Sequence, residues 1–170
     1  MTQELPLQQR YEVSVDTYWD ELCFNLEYTR RLYAEALNCV DMVVLKNEGD
    51  RKTGIRRHLR FTKPMDMPGP VMKIFGGKVT MDELGEWDAR EQRWSYRMVP
   101  SILGDRIDIR GRVQVIAQGD QCEQRSVNTA TCRMFGLGAV VEPFVIREAA
   151  RGHNDRYQFT LRYIKEKGLR

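Results

Sequence analysis

Cysteine and histidine, the residues most often used as nucleophiles and metal ligands, are few and widely spaced in this chain. The four cysteines form no C-x-x-C pair and neither histidine lies at metal-ligand spacing from one, so we expect neither a metal site nor a cofactor. A Ser-His-Asp or Cys-His triad would have to recruit His58 or His153. Nearby arginines disfavour the protonated form of His58, and His153 falls in a helical pattern as a packing residue. We therefore expect no hydrolytic triad. The cysteines, expected to be reduced thiols of the core, are Cys23, Cys39, Cys122 and Cys132.

An arginine falls on the apolar face of a predicted strand over residues 53–62. In that strand Arg57 alternates in phase with Leu59 and Phe61. An unpaired buried charge costs several kcal/mol, so an inward arginine needs a partner. Glu83 has the matching parity on a later strand and would form a structural ion pair. The alternatives are an anionic head group of a ligand, or a bulge that turns Arg57 outward.

The segment 64–77 combines apolar side chains with Pro and Gly, which makes it too broken for a helix and too apolar for an ordinary loop. It adjoins 51–63, where six Lys or Arg occur with no acid. A hinged apolar loop beside a basic strip suggests a lid over a cavity mouth or a contact with an anionic membrane surface. The alternative is a loop that folds onto the end of the sheet as part of the core. Its candidate lid or membrane residues are Met65, Met67, Met72, Ile74 and Phe75.

The charge distribution is uneven but does not indicate a nucleic-acid-binding protein. The first 50 residues carry four Lys or Arg against ten acids, and the remaining 120 carry 23 against 14, for a net charge of +3. Arginines that alternate along strands are typical of a solvated sheet face, and the glycine pairs match no phosphate-binding loop. The sequence begins without a basic stretch followed by an apolar one, so we expect a cytoplasmic protein.

The elements that must position these residues follow from apolar periodicity. Residues 10–15 predict a strand with Tyr11, Val13 and Val15 inward, followed by a helical pair over 17–38 with Asp16 or Thr17 as its N-cap. A long helix is predicted over 139–166, with Pro143 in its first turn. Further strands are predicted over 40–46, 53–62, 78–88, 92–99, 105–117 and 121–134.

This order implies an antiparallel sheet with one face covered by the last helix, in a single domain over residues 1–170. A helix of 28 residues is roughly 42 Å long, enough to cross the whole face. The strand over 121–134 presents small or polar side chains on one face, which would leave empty volume opposite the helix unless Phe144, Tyr157 or Phe159 fills it. The sequence therefore predicts an internal cavity.

Four segments give the chain its resemblance to a known superfamily: YEVSVDTYWD, FTKPMDMPGPVMKIFG, GEWD and CRMFGLGAVVEPFV. With the element order, they resemble the START-like superfamily, which includes lipid-transfer domains, pollen-allergen-like proteins and polyketide aromatase/cyclases, and within it an uncharacterised bacterial START-like family. The resemblance implies an α+β helix-grip fold, in which a curved antiparallel sheet of about seven strands wraps round a long C-terminal helix. It also implies a cavity for a hydrophobic ligand, and it supplies no catalytic residues.

The function expected from these features is binding or transport of a hydrophobic small molecule or lipid, without catalysis. The first alternative is an enzyme of the polyketide cyclase or dehydratase type, for which Glu83, Arg57 and Tyr96 are the candidate polar groups. The second alternative is a protein-interaction module that uses the same groove. The candidate lining residues are Tyr11, Val13, Arg57, Trp87, Trp94, Ile109, Val113, Asn128, Phe144 and Phe159.

Overall fold

The computed structural model describes residues 3–170, with side chains from residue 4 onward. Over this range the chain forms one seven-stranded sheet in the order β1-β7-β6-β5-β4-β3-β2, and every neighbouring pair is antiparallel. The predicted helix-grip fold class is confirmed. The strands are β1 (Gln3–Tyr11), β2 (Val40–Asp50), β3 (Gly54–Pro64), β4 (Lys78–Asp88), β5 (Arg93–Pro100), β6 (Ile107–Gln118) and β7 (Gln121–Cys132).

Two short helical segments follow β1. The first, α1, is α-helical over Val15–Thr17 and π-helical over Tyr18–Cys23, and the second, α2, is α-helical over Leu26–Arg31 and π-helical over Leu32–Ala36. Asn25 separates them and caps α2, because its Oδ1 accepts a hydrogen bond from Tyr28 N at 3.1 Å.

The first strand and the first cap lie earlier than the sequence suggested. Tyr11 ends β1 opposite Cys122, and β7 begins only one residue before Cys122, so the chain beyond Tyr11 has no strand to pair with. Ser14 then caps α1 through its Oγ, which accepts from Thr17 N at 3.1 Å. Val15 therefore begins a helix, and neither Asp16 nor Thr17 is the cap.

A short helix, α3 (Gly69–Phe75), corrects the expectation of a segment too broken for helix. Pro70 lies in the first turn of α3, where a backbone N–H has no intrahelical acceptor, so the missing N–H of proline costs no helical hydrogen bond. Gly76 ends the helix in the left-handed conformation at φ 68°, and its N–H donates to Met72 O at 2.8 Å. Met67 and Val71 are buried, so the segment packs onto the end of the sheet and forms part of the core there.

The last helix, α4 (Gly138–Lys167), is 30 residues long and packs across the concave face, chiefly against β7 and β1. Pro143 is the sixth residue of α4 and lies in its second turn, not in the first turn as predicted. Two apolar clusters fill the space between sheet and helices: one beneath α1 and α2, centred on Trp19, Trp87 and Phe159, and one beneath α3, centred on Val71 and Phe144. No helix in the described range is long and apolar enough to cross a membrane.

Candidate ligand-binding site

A cavity of about 190 Å³, partly open to solvent, lies between the two apolar clusters and between the sheet and α4. Strands β3 to β7 form one wall, α4 forms the opposite wall, and α2 and α3 close the ends. Most lining side chains are apolar. The polar side chains on the wall are Lys63, Gln124, Ser126, Asn128, Glu148, His153 and Arg156. The structure therefore contains the cavity that the small side chains of β7 predicted.

The wall formed by α4 is a stripe of residues spaced three or four apart. It runs from Val141 through Val145, Ala149 and Gly152 to Arg156. Residues at this spacing share one helix face, so a single rotation of α4 directs all of them at the cavity. Glu142 fixes that rotation at the start of the helix, where its Oε1 accepts from the backbone N–H of Cys132 at 2.9 Å.

Tyr96 is positioned by a glycine on the next strand. Tyr96, Gly111 and Asn128 stand side by side on β5, β6 and β7. A Cβ atom added to Gly111 would lie 2.1 Å from Tyr96 Cζ, so only glycine lets the ring lie across β6. The Tyr96 hydroxyl then donates to Asn128 Oδ1 at 2.5 Å. Burial raises the pKa of Tyr96 to about 12, which keeps the hydroxyl protonated.

Beside the cavity, Arg57 and Glu83 form a buried ion pair. Arg57 Nη2 lies 3.3 Å from Glu83 Oε1, Arg57 Nη1 donates to Cys23 O at 2.7 Å, and the guanidinium lies 4.8 Å from the Trp94 ring centroid. Tyr33 donates to the other oxygen of Glu83 at 2.6 Å. Burial raises the pKa of Tyr33 well above its usual range. Both charged groups thus have partners within the protein, as the structural interpretation of the sequence expected.

His153 and Arg156 lie one turn apart on α4 and both line the cavity. The Nε2 atom of His153 is buried and has no hydrogen-bond partner among the described residues. Burial and the nearby Arg156 guanidinium lower the pKa of His153 to about 4, so the ring is neutral at pH 7. Arg156 shares the wall of the smaller pocket with four tyrosines, Tyr18, Tyr28, Tyr33 and Tyr96, which interact with its guanidinium. No carboxylate among the described side chains forms an ion pair with it.

The wall contains no arrangement suited to a metal ion. Within the part of the chain that the structure describes, no three His, Cys, Asp or Glu residues lie close enough together to hold one. The polar groups that reach the cavity are instead two cations, one carboxylate, one neutral imidazole, hydroxyls and amides, which can orient an organic ligand through hydrogen bonds.

Comparison with known proteins assigns the family. The profile of the family described as a protein of unknown function, DUF2505, matches residues 7–164. The chain belongs to this family. The comparison with curated proteins gives no match.

Solved structures with the same fold have low sequence identity to this DUF2505 protein. The Zhui aromatase/cyclase from Streptomyces sp. R1128 has a TM-score of 0.68 at 13% identity, over 100% of both chains. Norcoclaurine synthase from Thalictrum flavum, solved with dopamine and hydroxybenzaldehyde, has a TM-score of 0.58 at 15% identity, over 95% of this chain and 88% of the other. Ara h 8.0201 has a TM-score of 0.62 at 8% identity, over 95% and 99%. These similarities establish the helix-grip fold.

Only some of the lining and lid residues predicted from the sequence lie on the cavity wall. Ile109, Val113, Asn128 and Phe144 lie on the cavity wall, and so do Met65 and Phe75 of the proposed lid. Arg57 and Trp94 line a smaller pocket of about 30 Å³ behind Tyr33, which Val113 also lines. Met67 is buried beneath α3, while Met72 and Ile74 lie outside the cavity wall.

Four of the proposed lining residues lie in the packed core instead of on the wall. They are Tyr11, Val13, Trp87 and Phe159, all in the cluster beneath α1 and α2. The reason is that α1 and α2 cover that end of the concave face, and Trp19 from α1 lies with its ring centroid 4.5 Å from that of Trp87. The free volume is therefore displaced toward α3.

Sequence reasoning overlooked Arg156 and Tyr33 and assigned His153 to packing alone. The signal for the two α4 residues was available: His153 and Arg156 continue the spacing of Val145, Ala149 and Gly152 on one helix face. Nothing in the sequence showed which face of the helix would overlie the empty part of the sheet. Tyr33 offers no comparable signal, because its position depends on the π-helical end of α2.

Proposed function

We propose that this DUF2505 protein binds a hydrophobic small molecule in the cavity between the sheet and α4, without transforming it. The observation that carries the proposal is the cavity itself, which is lined mainly by apolar side chains and bounded on opposite sides by rigid elements. Ligand sites in folded proteins are concave and mostly apolar, with a few polar groups that fix orientation. The fold shared with ligand-binding helix-grip proteins supports the same interpretation.

The cavity volume restricts the ligand. A dry cavity of about 150 Å³ holds benzene, so 190 Å³ suits one ring or a short acyl chain. A ligand of that size buries about as much surface as an aromatic side chain, roughly 150–250 Å². At ~25 cal/mol per Å² this contributes about 4–6 kcal/mol before the costs of association, so the dissociation constant is expected at tens of micromolar at the tightest and in the millimolar range for most such ligands. A long-chain lipid requires α3 to move outward.

The test is to fill the cavity and measure binding of toluene by saturation-transfer NMR. Ala149→Leu places extra methyl groups in the cavity and should abolish the toluene signal. Ala139→Leu makes the same change at an exposed position of the same helix and should leave it intact. Toluene binding that persists in Ala149→Leu, or that is absent from the wild type, refutes the proposal.

A cyclase-type enzyme is the second candidate, and one observation favours it. The neutral imidazole of His153 faces the cavity with an unpartnered Nε2, so a proton acceptor is available where a substrate would lie. In this case the protein would convert a short linear poly-β-ketone into an aromatic product with a new ultraviolet absorbance, and His153→Asn would bind the substrate without converting it. Equal product formation with and without protein excludes this candidate.

Contact with an anionic membrane is proposed for the end of the molecule that carries α3. Met72 on α3, Ile102 between β5 and β6, and Phe135 between β7 and α4 are exposed at this end, with Arg106 and Arg133 nearby in sequence. Each basic residue near an anionic surface contributes about 1 kcal/mol. Co-sedimentation with phosphatidylglycerol vesicles should exceed that with phosphatidylcholine vesicles and should fall on Phe135→Asp. Equal sedimentation with both lipids argues against it.

A cytoplasmic location is the setting we propose for this function. The structure contains four free cysteines and no disulfide among the described residues. Thiols stay reduced in the cytosol. Fractionation of cells that express the native chain tests the location directly, and recovery outside the cytosolic fraction contradicts it.

A further inference from the structure

Arg156 on the cavity wall is partly buried, and it differs from the buried Arg57 in what surrounds it. Arg57 has a carboxylate, a backbone carbonyl and an aromatic face within contact distance. Arg156 lies where the cavity meets the smaller pocket behind Tyr33, and the described residues provide no carboxylate within ion-pair distance. Glu83 is occupied by Arg57 and Tyr33. Glu148, the carboxylate on the α4 wall, lies two helical turns away, roughly 12 Å along the axis, and pairs with Arg151 at 3.7 Å.

Two further polar atoms on the wall lack partners. His153 Nε2 is buried on α4, and Ser126 Oγ is buried on β7, the strand against which α4 packs. Most buried polar groups in folded proteins are hydrogen-bonded, so orphaned ones on the wall of a cavity mark positions for groups that a ligand supplies. A neutral imidazole donates from Nε2 in one of its tautomers, and a serine hydroxyl donates freely. The three groups together offer donors and a positive charge.

An arginine in an apolar cavity without a counter-ion selects for an anion. Its guanidinium keeps its charge at all accessible pH values and presents paired N–H donors that match the two oxygens of a carboxylate. Charge-assisted hydrogen bonds are about twice as strong as neutral ones, and they gain strength where water is excluded. The phenol hydroxyls around Arg156 stay protonated, because burial raises the pKa of Tyr33 and of Tyr96, and they do not neutralise it.

We propose that Arg156, with His153 and Ser126, forms the polar end of the cavity and binds the carboxylate of a small organic acid whose apolar part is a single ring or short chain. This inference rests on the proposed binding function and names its ligand class. The carboxylate accepts from the Arg156 guanidinium, with His153 Nε2 and Ser126 Oγ as further donors. The apolar part of the acid occupies the volume between Val145, Ala149 and the sheet.

The experiment compares phenylacetate with its neutral isostere phenylacetamide by isothermal titration calorimetry at pH 7 and low ionic strength. The wild type should bind phenylacetate at least tenfold more tightly than phenylacetamide. Arg156→Gln should remove this preference, while Arg162→Gln, the same change at an exposed position of α4, should retain it. His153→Asn and Ser126→Ala should each reduce the preference by threefold or more.

The outcomes separate this inference from the proposed function. If toluene binds but phenylacetate shows no preference over phenylacetamide, the carboxylate site is refuted and the apolar cavity stands. If Lys63→Gln removes the preference and Arg156→Gln retains it, the anion binds at Lys63 and the assignment is wrong. If toluene does not bind to the wild type, the proposed function fails as well. Should Arg156→Gln fail to fold by circular dichroism, Arg156→Lys provides the test, because it retains the charge but loses the paired donors and should weaken phenylacetate binding at least fivefold.

Discussion

Replacing Gly111 with alanine should destabilise the protein, whereas the same replacement at Gly152 should stabilise it. Both glycines line or adjoin the cavity, one in β6 and one in α4. Intrinsic propensity alone predicts a gain at both positions, since alanine is better than glycine in strands and in helices. The surroundings of the added Cβ decide the sign.

The magnitude follows from the contacts. At Gly111 the new Cβ would lie 2.1 Å from Tyr96 Cζ and 2.3 Å from its hydroxyl oxygen, so the ring must leave its place over β6. Displacing it strains the core by about 1–3 kcal/mol and breaks the bond to Asn128, worth about 1 kcal/mol. At Gly152 the nearest atom, Leu37 Cδ2, lies at an ordinary contact distance of 3.8 Å. That replacement should gain about 0.5–1 kcal/mol.

Urea unfolding at 25 °C measures both changes. With a denaturant slope of about 2 kcal/mol per M, Gly111→Ala should lower the midpoint by roughly 1–2 M, and Gly152→Ala should raise it by a few tenths. In a Tyr96→Ala background the clash is absent, so Gly111→Ala should then cost less than ~0.5 kcal/mol. A loss that is undiminished in that background, or the absence of any loss in the wild-type background, would refute the steric account.

Three further predictions concern the buried polar groups. Glu83→Gln and Arg57→Met should each lower the free energy of unfolding by about 3–5 kcal/mol, because each leaves an uncompensated buried group. In urea unfolding, the double variant Arg57→Met/Glu83→Leu should recover most of this loss, whereas additive losses contradict a coupled pair. Because the pKa of His153 is lowered in the folded state, the free energy of unfolding should fall by about 1 kcal/mol, after allowance for solvent screening, as pH falls from about 6.5 toward 4. His153→Asn should flatten this part of the curve of stability against pH, and an unchanged curve argues against a buried neutral imidazole. Burial raises the pKa of Cys39 and of Cys122 to about 11, so both thiols should react with Ellman's reagent at pH 8 only after urea is added, and fast labelling of the native protein shows that they are accessible.

The sheet and the long helix could be predicted from the sequence because their patterns are regular. Strict alternation along 105–117 and 121–134 predicted β6 and β7 within a few residues, and apolar spacing predicted α4 within one residue at each end. The short helix α3 could not be predicted in this way. Its Pro and Gly content argues against helix locally, and only the apolar space beneath Met67 and Val71 makes the ordered form favourable.

Within the site, pairings across neighbouring strands could be predicted and placements across layers could not. The Arg57–Glu83 pair follows from strand parity. Gly111 on β6 allows close approach by another group, because an added Cβ would clash with it. The neighbouring group is Tyr96, which lies opposite Gly111 in the register of β5 and β6. This register could not be predicted from the sequence. The cavity-facing role of Arg156 depends on how far α1 and α2 reach over the concave face, a property of the packed whole.

The cavity lowers the stability of the fold, and larger side chains could fill it. A pocket of about 190 Å³ that no side chain fills gives up apolar packing that a filled core would have, and ordinary domains are stabilised by only about 5–15 kcal/mol. Leucine or phenylalanine at Ala149 or Ser126 would fill it with side chains common in cores. The chain instead places small residues on both walls and adds Arg156, an arginine without an ion-pair partner among the described residues. Both departures from a stable core occur at the same place, and one ligand with an apolar body and an acidic group would offset both.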